Sequence, residues 1–217
     1  MKIRIDRSLS DKLPNFNIIA YTMDVVCEAS DKIESLISQY EDYIMEEYSI
    51  ESVLDIPLIK EARDSYKKLG KDPSRYRLAC ESLLRRLVKG NKLYRINNLV
   101  DAGNILSIAA RRSVAVLDYD KIVGDVLIRV GRASDEYEGI GRGKINIENI
   151  PLYEDEIGPF GSTTSDTTRT MVTENTKKIL LFIVCFGKDK IDEDKKLAID
   201  IFEKYCGAHN IETINIE

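Results

Sequence analysis

Hydrophobic residues recur along this chain with two different rhythms, and the rhythm changes near residue 113. Ahead of that point most apolar residues fall at helical spacing. Ile33, Leu36, Ile37, Tyr40 and Ile44 predict a helix capped by Asp31, with Glu34 three residues later. Leu58, Ile59, Ala62, Tyr66 and Leu69 predict a second, opened by Pro57 and stopped by Gly70. A third is expected from Asp72 and Pro73 to Gly90, buried along Tyr76, Ala79, Cys80, Leu83, Leu84 and Leu87. A fourth is expected over Leu99–Ala110. Two strands precede these helices, at Met1–Asp6 and Asn15–Val26.

After residue 113 the period becomes two. Ser113–Asp118 and Val126–Arg132 read as strands, and residues 131–150 as turns and hairpins. The unbroken apolar run Ile179–Phe186 predicts a buried central strand. Asp192–Cys206 is a last amphipathic helix, stopped by Gly207, and Ile211–Ile216 returns as an edge strand. No repeat, low-complexity tract or linker interrupts the pattern. The expectation is a single α+β domain over residues 1–217, with a central, mostly antiparallel sheet flanked by helices.

Composition narrows the setting. The chain has 217 residues, 43% hydrophobic and 32% charged, enough for a sizeable core under a well-solvated surface. No apolar run reaches the roughly 20 residues of a membrane span, and the first ten residues carry no apolar signal core, so a cytoplasmic protein is expected. Cys27, Cys80, Cys185 and Cys206 lie far apart and read as reduced structural cysteines. With His209 as the sole histidine, no metal site is expected. Net charge is −5, but it is unevenly distributed: Asp24–Glu61 holds eleven acids and two bases, Arg75–Arg95 seven bases and one acid. Arg75, Arg85, Arg86, Lys89, Lys92 and Arg95 form either a solvated helix surface or a face for a phosphate backbone.

Two stretches hold the candidate chemistry. The first, Gly158–Thr173, is dense in hydroxyls; Ser165, Asp166, Thr167 and Arg169 either bond their own turns or hold a small polar ligand. In the second, Arg95–Asn104, Asn97 or Asn98 suits a helix cap and Asp101 the first turn. Asn104, inside the helix, has no such local role and needs partners if buried. Residues 139–143, Gly-Ile-Gly-Arg-Gly, lack the setting of a dinucleotide fingerprint. No Ser or Cys is spaced for a histidine-driven nucleophile, so a general base here is a carboxylate or a water held by amides.

Three segments resemble one family in order: YRINNLVDAGN (94–104), AVLDYDKIVGDVLIRVGRA (115–133) and VTENTKKILLF (172–182). They are similar to motifs of the B-three/B-four domain, the tRNA-binding editing module of the phenylalanyl-tRNA synthetase β subunit. The resemblance covers about residues 75–186, with N-terminal strand and helix and C-terminal helix and strand extensions. It implies a pocket for an aminoacyl group, a route for a tRNA 3′ end, and no cofactor. The family's module hydrolyses tyrosine misattached to the phenylalanine tRNA. Its pocket asparagine falls on Asn104. Its pocket histidine falls on Ala115 and its pocket glutamate on Phe182, which removes the groups expected to recognise tyrosine. The resemblance implies a tRNA-binding protein that deacylates aminoacyl-tRNA in trans, not a full synthetase. The alternative is a non-catalytic module for an amino-acid-like ligand or a protein partner. In both, Asn104 and Asp101 with Ser165, Asp166, Thr167 and Arg169 hold the small ligand.

Overall fold

The computed structural model describes all 217 residues. Strands β1 (Ile3–Ile5) and β2 (Asn17–Asp24) bracket one helical turn, α1 (Arg7–Ser10), which Asp6 caps by accepting from Ser8 N at 2.8 Å. The helix expected at Asp31 starts later. Ser30–Lys32 form a 3-10 turn, and α2 runs Glu34–Glu47 with no side-chain cap. A short α3 (Ile50–Asp55) follows, unforeseen because its capping box pairs Ser49 with Ser52 instead of with an acid. α4 (Pro57–Leu69) has the predicted bounds, and Gly70 ends it at a φ of +90°.

The third expected helix is corrected most. Asp72 caps only a turn: its carboxylate accepts from Ser74 N at 2.8 Å and its carbonyl from Tyr76 N at 2.9 Å. Leu78 is then extended and buried, and Ala79 N donates to Thr163 O at 2.9 Å, so α5 spans only Ala79–Leu87. Arg75 and Arg77 therefore sit in a loop rather than on a helix face.

Beyond α6 (Asn98–Ala110) come β3 (Val114–Asp118), β4 (Val126–Val130), the hairpin β5 (Glu136–Gly139) and β6 (Gly143–Asn146), then β7 (Pro151–Glu154), β8 (Pro159–Ser162), β9 (Lys178–Cys185), α7 (Ile191–Cys206) and β10 (His209–Thr213). They build two four-stranded sheets besides the hairpin. One has the order β10-β2-β9-β3 and is antiparallel throughout. The other has the order β1-β4-β7-β8, parallel only between β1 and β4. As its unbroken apolar sequence predicts, β9 is central. Phe182 on β9 meets Tyr153 on β7, ring centroids 5.0 Å apart, joining the two sheets. α6 packs on β3, α5 and α7. Buried apolar side chains from both sheets and most of the helices form one continuous core. The chain is thus a single α+β domain, and no helix is long and apolar enough to cross a membrane.

The expected last strand divides. β10 pairs with β2, and the chain then crosses to the second sheet, where Ile216 bridges Ile3 and Glu217 exchanges backbone hydrogen bonds with Ile3 and Ile5 at 2.9 and 2.8 Å.

Several charges that look free in sequence are engaged inside. Arg95 bonds Glu41 at 2.7 Å and Glu34 at 2.7 and 2.8 Å. Arg63 holds the fully buried Glu81, Arg112 holds Asp194 at 2.6 Å, and Arg129 holds both Asp135 and Glu154 at 2.6 Å.

Candidate functional site

The open edge of β3 meets one face of α6, and the gap between them is a pocket of about 240 Å³. α6 supplies Val100, Gly103 and Asn104; β3 supplies Val114 and Val116. Ile96 enters from the segment before α6, Ile140 from the β5–β6 turn, and Asp166, Met171 and Val172 from the chain after β8. Helix and strand come this close only because residue 103 is glycine: a Cβ there would lie 2.5 Å from Val116 Cγ2.

The ladder aims polar backbone into the same gap. Val184 N donates to Ser113 O, so residues 113, 115 and 117 turn their backbone groups toward β9. The N–H groups of Val114 and Val116 then face the outer edge, which Met171 bridges further along at Leu117.

Asp166 is the pocket's only charged side chain. Its segment is stitched in place by bridges from Asp166 to Gly161 and from Thr167 to Gly139. Oδ1 of Asp166 is buried without a hydrogen-bond partner, as is Oγ1 of Thr167. Burial pushes the Asp166 carboxyl up to about 7, against a smaller opposing pull from the backbone of Ser162. Tyr137 and Tyr153 are raised too, first by burial and then by the nearby Asp166 charge.

The remaining expected ligand residues lie elsewhere, each for a visible reason. Asp101 is buried and accepts from Ser30 Oγ and from Ile96 N, bracing the entry to α6. Burial raises its pKa, against its hydrogen bond from Ser30. The Ser165 carbonyl receives Tyr137 OH at 2.5 Å. Arg169 forms a two-pronged pair with Asp155 at 2.8 and 2.9 Å. Ala115 and Phe182 are direct cross-strand partners and share one face of the sheet, the one packed on Tyr153. Neither lines the pocket; Val114 and Val116, on either side of Ala115, do.

Next to the pocket the surface turns cationic. A cleft of about 410 Å³ gathers Arg75, Arg77, Arg85, Arg86, Lys89 and Arg142 with Ser82, Asn91 and Thr164. A third depression joins the two: it shares Asn104, Val114 and Ile140 with the pocket, and Ser82, Arg86, Arg142 and Thr164 with the cleft. The result is one groove, apolar at one end and basic at the other. Tyr94 lines its middle, 67% exposed, with the Arg86 guanidinium 4.0 Å from its ring centroid. Of the expected cations, Arg75, Arg85, Arg86 and Lys89 reach the groove. Arg95 does not, being held by Glu34 and Glu41, and Lys92 leans 3.9 Å from Glu41. Arg77, another base of the same run, joins them; Arg142 and Tyr94 lie outside the expected set, because the glycine-spaced hairpin that carries Arg142 gives no charge signal of its own.

Other residues of the sequence motifs are scaffold. Asn97 caps α6 by accepting from Val100 N at 2.9 Å. Asn98 ties three segments together, accepting from Glu28 N and donating to Val26 O and Tyr205 O. Asp118 accepts from Thr176 Oγ1 at 2.7 Å, locking the second motif to the third. A family model described as the B3/4 domain matches residues 61–203, well over half of the chain.

This chain belongs to the B3/4 domain family. An N-terminal fragment of the phenylalanyl-tRNA synthetase beta-subunit from Pyrococcus horikoshii has a similar structure, with a TM-score of 0.51 at 12% identity. The likeness covers 100% of this chain and 51% of that fragment, so the chain spans about half its length. No curated protein matches the chain.

Proposed function

We propose that this B3/4 chain binds the aminoacyl end of a charged tRNA and hydrolyses its ester in trans. The observation that carries the reading is the continuous groove: a pocket holding Asn104 and Asp166 opens into a cleft of six cations. Phosphates of the tRNA end lie along Arg75, Arg77, Arg86 and Arg142, a terminal base stacks on the exposed Tyr94, and the aminoacyl group enters the pocket. Asn104 stands at the junction, where the ester rests. The outward N–H groups of Val114 and Val116 are donors for the carbonyl oxygen as it gains charge. Water is then oriented by this edge and by the vicinal hydroxyl of the terminal ribose.

Binding is expected to weaken steeply with salt, with each phosphate contact adding about 0.7–0.9 to the slope of log K against log salt. Arg86→Glu with Arg142→Glu should lower tRNA affinity at least about tenfold and flatten that slope by about two. Filter binding from 50 to 300 mM salt measures both. Arg85 is a poor choice for this purpose, because it lies 3.8 Å from buried Glu81 and its reversal strikes the fold. A deacylation assay over a panel of charged tRNAs tests the chemistry; no acceleration for any of them returns the protein to the second reading. That reading, a non-catalytic module for an amino-acid-like ligand or a protein partner, is favoured by the absence of any histidine from the pocket lining.

A further inference from the structure

The pocket also says which aminoacyl groups fit, an inference that rests on the reading above. Its walls are almost wholly aliphatic, through Ile96, Val100, Val114, Val116, Met171 and Val172. Asn104, at the junction with the cationic groove, belongs with the ester. That leaves Asp166 as the one polar side chain beside the aliphatic walls: its Oδ1 is sealed against Gly161, and its second oxygen, with no donor in the protein, is the one a ligand can meet. A half-buried carboxylate without a protein donor calls for one from the ligand, and a cation is the strongest.

The groove is also ordered by charge. Arg86 and Arg142 lie toward one end. At the other end, past Ile96, Met171 and Val172, a further depression carries Glu174, beside a Glu28 that Lys32 already pairs. A molecule with phosphate at one end and ammonium at the other has a single favourable direction in this field. A phenol hydroxyl among the aliphatic walls would have no partner to replace water, because Asp166 is engaged by the ammonium.

We infer that the site selects aliphatic aminoacyl groups bearing a free α-ammonium, with the side chain against the valine and isoleucine walls and the ammonium on Asp166. No bond is made or broken in this recognition step.

Calorimetry with amide-linked aminoacyl-adenosines, which do not hydrolyse, tests the idea on the full chain. The valyl, isoleucyl and methionyl compounds are expected to bind at least about tenfold tighter than the tyrosyl compound. N-acetylation of the valyl compound should cost a further factor of at least about ten, because it removes the charge that Asp166 meets. In Asp166→Asn that N-acetyl penalty should vanish. Val100→Phe, on the half-buried wall of α6, should exclude the valyl compound yet leave uncharged tRNA binding and its salt slope intact. Equal or tighter binding of the tyrosyl compound overturns the inference, as does indifference to N-acetylation. If uncharged tRNA still binds in either case, the aminoacyl-tRNA reading survives without it. If neither tRNA nor any analogue binds, both fail together.

Discussion

Asp166→Asn is expected to be more stable than the parent chain at pH 8 while losing the ammonium-bearing ligand. Below about pH 4 the carboxyl is protonated in both folded and unfolded chains, and the substitution changes little. As pH rises from the ordinary carboxylate range toward 7, the unfolded chain ionises while the folded carboxyl, held up by burial, stays protonated. The parent chain therefore loses stability across that interval. The loss is complete above 7, where the fold carries a buried, unpaired charge. At about 1.4 kcal/mol per pH unit the gap between the two chains grows to about 2–4 kcal/mol. For a domain of this size that is on the order of 5–10 °C in melting temperature. Thermal melts from pH 4 to 8 should show the curves diverging with pH; parallel curves would mean that water already reaches Oδ1. A residue whose removal stabilises the fold and abolishes binding has been kept for the ligand.

Glu41→Ala is expected to be the most damaging single change outside the groove. Glu41 is fully buried, takes Leu93 N at 2.8 Å and pairs with Arg95 at 2.7 Å. Its loss strands a backbone N–H and removes Arg95's buried partner, at a cost of about 3–5 kcal/mol. The same segment carries Tyr94 and Ile96, so the groove should loosen as the fold weakens. Urea midpoints measure the cost. Glu34→Ala, on the exposed side of the same arginine, should cost no more than about 1 kcal/mol. Equal effects for the two would show that burial of Glu41 is not what makes it matter.

These two residues also mark what the sequence conveys and what it withholds. Local grammar was readable: Pro57 and Gly70 bound α4, and eight apolar residues in a row announced β9. Asn104 stood out because no helix needs an asparagine there, and it lies in the pocket. Long-range pairing was not readable. Arg95 looks like part of a basic run until α2 folds two glutamates over it. Asp72 and Pro73 carry a helix-start signal that one local turn absorbs. The pocket wall is assembled from five separated segments, and each of its valines and isoleucines looks like any core residue when read alone. The resemblance puts Ala115 and Phe182 at pocket positions, but the period of two turns both away from the pocket and into the space between the sheets.

The crossing of the C-terminal segment from one sheet to the other has a consequence for solubility. β2 and β1 would each present a bare row of amides and carbonyls, and the last nine residues cover both. Uncovered rows of this kind recruit strands from other molecules. Removing residues 209–217 should therefore leave most helical circular dichroism in place and produce concentration-dependent light scattering. One short stretch of chain thus serves as a guard against self-association for two sheets that share no other strand.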